Sequence, residues 1–227
     1  MSDIKAADAP QKKDGIGSMV KLGLIMAIYS AIACVGLALV YNSTAKIIAQ
    51  RQQADLDDSL KGLFPDADSF KTVADISSSD PAVSIEGDAE NPLNTGAFAA
   101  IKNGATIGIA IRTSRAGYGG PIKILVGINA DSTISGIKIL EHKETPGLGA
   151  NAGSSAYYID RTKGIHFYDQ FAGKKASDPF VPKQDVIVIT AATITSQAVS
   201  ESIRAAGKAA ADWFATGAGS PGSKGGF

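Results

Sequence analysis

The stretch LGLIMAIYSAIACVGLALVY, Leu22 to Tyr41, runs for twenty residues without a charge. As a helix at about 1.5 Å per residue it reaches roughly 30 Å, the thickness of a bilayer core. A buried core helix and a cleaved signal peptide are the competing readings. A signal peptide has a shorter apolar region, about 7–15 residues, and then a small-residue cleavage site. The YNSTAK that follows here matches that poorly. The expectation is an uncleaved single-pass anchor at 22–41, preceded by a cytoplasmic leader at 1–21.

Its flanks set the orientation. Lys5, Lys12, Lys13 and Lys21 precede the span, while Lys46 and Arg51 after it are diluted by Asp55, Asp57 and Asp58. Lysine excess on the leading side favours a cytoplasmic N-terminus. Everything after Tyr41 is then expected outside the cytoplasmic (inner) membrane.

Residues 42–95 read as a juxtamembrane helix and a connection. Ile47, Ile48, Leu56, Leu60 and Leu63 form a partial apolar stripe. Pro65 and the acidic, serine-rich stretch to Pro92 predict irregular backbone with short elements. From residue 96 the pattern turns to strands. GAFAAIK and ATIGIAIRTS flank Asn103-Gly104, a strong hairpin signal. PIKILVGIN and TISGIKILEH flank ADS and predict a second hairpin, with Ile134, Gly136, Lys138 and Leu140 alternating against Ile137 and Ile139. The stretch SSAYYIDRTKGIHFYDQFAGK suggests short helices, and DVIVIT another strand. A last helix is expected from about Ser196 to Phe214, with Val199, Ile203, Ala206, Ala210 and Trp213 on one face. The predicted class is α+β: a twisted antiparallel sheet with one face covered by helices, occupying 96–215. The Gly/Ser-rich tail 216–227 reads as disordered.

Composition narrows the chemistry. A formal net charge of zero, without a basic stripe, disfavours a general nucleic-acid binder. Cys34 is the only cysteine, and His142 and His166 are the only histidines. No disulfide can form within the chain, and it cannot hold an iron–sulfur cluster by itself. Neither histidine sits in a metal-ligand spacing such as HExxH, so no metal site is expected. Any redox group has to be an acquired cofactor.

Two stretches invite a ligand. EHKETPGLGANAG, Glu141 to Gly153, concentrates Pro146, Gly147 and Gly149. An ordinary turn explains it; so does a loop whose glycines let a planar ligand approach the backbone, with Leu148 against a ring and Thr145 at its polar edge. ITAATITSQAV places Thr190, Thr193, Thr195 and Ser196 within seven residues at a helix entrance. One hydroxyl suffices as an N-cap. The helix start also offers unpaired N–H groups and the positive dipole end, which suit a phosphate. The GxxxxGK[ST] spacing of a nucleotide P-loop is absent.

HKETPGLG, His142 to Gly149, together with TAATITSQAV, Thr190 to Val199, resembles the FMN-binding domain of the RnfG family, the G subunits of Rnf electron transport complexes. The C subunit of the sodium-translocating NADH:quinone reductase shares that domain. The resemblance covers most of the chain, including the N-terminal span and GYGGPIKILVGI. In that family a motif close to Ser/Thr-Gly-Ala-Thr carries FMN, esterified through its phosphate to the last threonine by a flavin transferase. The matching position is Thr193, with Thr190 first, Ala191 in place of the usual glycine, and Ala192 third. An acidic residue often stands three before the first hydroxyl; Ile187 is there instead, with Asp185 two further back. The resemblance implies a covalent FMN phosphothreonyl ester at Thr193, Thr195 or Ser196 capping the helix, and Glu144, Thr145, Gly147 and Leu148 along the flavin ring.

It further implies a membrane-anchored electron carrier in an ion-translocating ferredoxin:NAD oxidoreductase, with iron–sulfur and multi-span membrane subunits as partners. Independent catalysis is not expected, since one-electron transfer needs no general acid, base or nucleophile. A quinone-reductase C subunit, a membrane-anchored flavin sensor and a cofactor-free structural domain are the rivals. The short leader without an output domain argues against the sensor.

Overall fold

Asn103 and Gly104 have φ values of 51° and 78°, the positive pair that a tight two-residue hairpin turn demands. Around them the computed structural model of the chain builds an antiparallel sheet; it describes residues 15–73, 76–85 and 96–217. Strand β1 is Ser69–Val73, β2 Val83–Ile85, β3 Ala97–Lys102, β4 Ala105–Ala116, β5 Pro121–Asn129 and β6 Ile134–Glu141. Their order is β1-β3-β4-β5-β6, with β2 pairing the distal part of β4. Both expected hairpins form, in the registers Ile101↔Thr106 and Ile128↔Ile134. The class is α+β.

Alternation along β6 breaks at its start. Gly127 faces Gly136 while Ile128 faces Ile134, so Ser135 is an extra residue in the ladder. That bulge lets Ile134 and Ile137, three apart, reach the same core.

Helix α1 runs Gly15–Leu63, and the chain divides into two units at Gln53/Ala54. In the first unit, Gly17–Ala45 is a 29-residue helical stretch containing an 18-residue window of mean hydropathy 2.3, long and apolar enough to cross a membrane. Met19, Leu22, Met26, Ile32, Leu37 and Val40 are all exposed there. A core helix would bury them, so the core-helix reading fails. The expectations for the leader before Gly15, the Ile47 and Ile48 side chains, most of the 216–227 tail and parts of the connection fall outside the described residues.

In the second unit, Leu56, Leu60, Leu63 and Phe64 at the end of α1 pack on Phe98, Ala100, Ala110 and Leu125 of the sheet. Helix α2, Thr193–Ala215, covers the opposite face. Its stripe of Val199, Ile203, Ala206 and Ala210 is buried, and Trp213 packs against the same core. Helices therefore cover both sheet faces rather than the expected one. Leu125 is buried on one side and Ile124 and Val126 on the other, which is why β5 is apolar at nearly every position.

Two local expectations are corrected. The stretch around Tyr157–Lys174 forms not short α-helices but a small hairpin, β7 Tyr158–Asp160 with β8 Ile165–His166, and a 3-10 turn at Asp169–Phe171. The turn delivers Phe167 and Phe171 to the core, where with Phe180 they form edge-on ring pairs at 5.6 and 5.9 Å. Nor is DVIVIT a strand. Its backbone has only an isolated bridge, Pro182↔Val186. The Gln170 amide serves Ile187 from the side, accepting from its N–H at 2.8 Å and donating to its carbonyl at 3.1 Å. These bonds take the place of a sheet neighbour. The Asp185 carboxylate accepts from the Val181 N–H, closing the turn before it.

Candidate functional site

Helix α2 starts three residues earlier than the periodicity indicated, and this rearranges the hydroxyl cluster. Thr193 is its first residue and Ala192 its N-cap, with no side-chain cap bond. Thr195 and Ser196 thus stand inside the first turns, and neither caps the helix. Ser196 Oγ donates to the Ala192 carbonyl and accepts from the Ile189 N–H, both at 3.0 Å, fastening the entrance to the helix. Thr195 Oγ1 donates to Glu144 Oε2 at 2.5 Å. Thr190 and Thr193 stay exposed. The four hydroxyls divide into two that build the turn and two that face solvent.

Ala191 adopts φ +59°. This left-handed conformation costs a residue with a Cβ roughly 1–2 kcal/mol, and glycine avoids the cost. The backbone thus supplies a reason for the glycine that the resembling motif has at this position.

Across from the helix entrance lies the TPGLG loop. Gly147 takes φ +76°, and the Leu148 and Ala150 N–H groups both turn back to the Thr145 carbonyl. Asn151 Nδ2 donates to the Gly147 carbonyl at 2.9 Å. Leu148 is held outward, 41% exposed. A third wall is the Gly117–Gly120 turn, closed by the Gly117 N–H on the Gly120 carbonyl at 2.8 Å. Tyr118 projects from it, 75% exposed.

These walls enclose a cleft of about 440 Å³ lined by Tyr118, Glu144, Thr145, Leu148, Gly149 and residues 191–195. Of the sequence candidates, Glu144, Thr145, Leu148, Ala192, Thr193 and Thr195 come together here. Thr190, Gly147 and Ser196 are not in the lining; they shape its edges. Tyr118 and Ile194 were missed, while Gly149 and Ala191 belong to the two motifs already singled out but were not named as contacts. Tyr118 had a signal, since like Leu148 it is a large residue between glycines.

The lining suits a phosphorylated planar ligand. Thr193 is an exposed hydroxyl at a helix start that carries no acidic residue in its first turn, which favours an anion. Tyr118, Leu148 and Ile194 are large apolar side chains that no core claims; Ile194 is 52% exposed. A flat ring system can cover them. Among the described residues, no cluster of His, Cys, Asp and Glu has the makings of a metal site.

Comparison with known proteins bears on both parts of the chain. Residues 117–208 match the FMN-binding domain family, and residues 12–63 match the RnfG N-terminal region. The G subunit of the Na(+)-translocating ferredoxin:NAD(+) oxidoreductase complex of Acetobacterium woodii is 32% identical over 198 residues, 81% of this chain and 87% of its own. The proton-translocating counterpart of Clostridium ljungdahlii is 32% identical, covering 75% of this chain and 80% of its own. The G subunit of the ion-translocating oxidoreductase complex of Cereibacter sphaeroides is likewise 32% identical, over 79% and 76%. Identity at this level over three-quarters or more of the chain, with the N-terminal region and the region of the cleft each matched separately, means that the chain belongs to the RnfG family of ion-translocating oxidoreductase complexes and carries that family's FMN-binding domain.

Proposed function

We propose that the chain is the membrane-anchored FMN carrier of an ion-translocating ferredoxin:NAD oxidoreductase, holding its flavin as a phosphate ester on Thr193. The observation that carries this is Thr193 itself: an exposed hydroxyl at an uncapped helix start, on the lip of a cleft walled by Tyr118, Leu148 and Ile194. FMN supplies the redox chemistry, accepting and releasing electrons singly or in pairs. The protein's part is placement. Thr193 tethers the phosphate end, the N-terminal N–H groups of α2 offset its charge, and Leu148 and Tyr118 lie along the ring. Thr145 meets its polar edge. A tether matters for a carrier outside the cytoplasm, where a lost cofactor is not readily replaced.

The relatives named as G subunits of ferredoxin:NAD oxidoreductase complexes support this reading over a quinone-reductase C subunit. Other membrane and iron–sulfur subunits are then its partners, and a flavin transferase its modifying enzyme. The test is intact mass. The full chain co-expressed with a flavin transferase gains the mass of one FMN less one water, and the gain survives denaturation. An unmodified mass, with no visible flavin absorption in the native protein, would refute the function.

The lysine bias before the span supports a domain outside the cytoplasm. A reporter that works only after export, fused after Phe214, is expected to be active. A strictly cytoplasmic reporter active at the same site would reverse the orientation.

A further inference from the structure

Glu144 was expected along the ring, yet it is 7% exposed and both its oxygens are engaged by the protein. Oε1 accepts from the Gly119 N–H at 2.9 Å, in the turn between β4 and β5. Oε2 accepts from Thr195 Oγ1 at 2.5 Å, in the first turn of α2. Its own backbone belongs to the TPGLG loop. One carboxylate thereby joins all three walls of the cleft, across 25 and 51 residues of sequence.

The glycines around it make the room. A Cβ on Gly117 would fall 2.5 Å from Oε1, and one on Gly149 would fall 2.2 Å from Oε2 and 2.5 Å from Thr195 Oγ1. A Cβ on Gly119 would fall 2.2 Å from the Lys143 carbonyl, blocking the approach that lets its N–H reach the carboxylate. Three glycines from two loops are spent on packing backbone around a single acid. Among the described residues no cation pairs with it.

We infer that Glu144 is the latch that holds the three walls of the cleft in register, and that its unpaired negative charge disfavours added electrons on a ring bound there. Each electron that enters without a proton adds negative charge to the ring. A fixed anion in the same lining, shielded from water, opposes that addition and draws the midpoint potential down. The potential part rests on the FMN reading; the latch does not.

Two variants of the full chain separate the two roles. Glu144→Gln keeps the shape and removes the charge; once flavin-loaded, its midpoint is expected more positive than the parent's in a redox titration. Thr195→Val keeps the charge and removes one bond of the latch. Without flavin it is expected to melt roughly 2–10 °C below the parent. A flavin-loaded Glu144→Gln with an unchanged or more negative midpoint overturns the electrostatic role. A flavin-free Thr195→Val that melts with the parent overturns the latch, and it decides that point even if Glu144→Gln does not fold. If the parent itself takes up no flavin, the functional reading and the electrostatic role fall together, and the melting comparison still decides the latch.

Discussion

Thr193→Val, co-expressed with a flavin transferase, is expected to give a folded protein whose denatured gel band has no flavin fluorescence, where the parent band is bright. Valine keeps the β-branched shape and removes only the hydroxyl that an ester requires. Thr193 is exposed at the first position of α2 and makes no cap bond, so the fold loses nothing it depends on. An exposed substitution of this kind stays within about 0.5 kcal/mol. The effect is all or none because no neighbouring hydroxyl can stand in without rebuilding the site. Thr195 is 1% exposed and bonded to Glu144, and Ser196 is fully buried and bonded twice. Thr190 is the one other exposed hydroxyl of the cluster, on the far side of the left-handed Ala191. A fluorescent Thr193→Val band would therefore move the acceptor to Thr190, with Thr190→Val as the direct check.

Phe171→Ala is expected to be the most damaging single substitution for stability, costing about 3–5 kcal/mol. Phe171 is fully buried, and it sits between Phe167 and Phe180 with rings edge-on to both. Its truncation removes one large side chain and also the ring contacts of two others. The surroundings can relax little, because Phe180 is held at φ +44° and the 3-10 turn that carries Phe171 is bounded by β8 and by β6. At roughly 2–4 °C per kcal/mol, the melting temperature of the domain falls by about 6–20 °C, readable by circular dichroism. A loss under 1 kcal/mol would mean that the aromatic cluster is a surface feature and that the core ends at the sheet–α2 interface.

Much of the architecture was written in local pattern. The apolar helical stretch at Leu22 to Tyr41 is legible because length without charge is a property of the sequence alone. The hairpins are legible because Asn103-Gly104 must take positive φ and because strands alternate. The buried stripe of α2 follows from a period that needs no knowledge of what it packs against. The cleft's two principal motifs were visible too, since glycine clusters and surplus hydroxyls stand out against any ordinary turn.

What the sequence by itself determined, then, was an apolar span, an antiparallel α+β domain, and which two loops bear the unusual residues. Only the tertiary structure decided how those residues divide their work. Whether Thr195 caps, binds a ligand or braces a wall depends on Glu144, 51 residues away, and no local rule encodes that distance. Glu144 stands in the sequence beside His142 and Lys143 as one charge among others, until two glycines of the β4–β5 turn and one of its own loop close around it. DVIVIT reads as a strand but forms none, because a side chain, Gln170, meets its backbone where a sheet neighbour would. Propensity and period are properties of neighbours in the chain. Burial, and the pairing of a buried polar group, are properties of neighbours in space, and in this protein they separate the two exposed hydroxyls from the two that hold the cleft together.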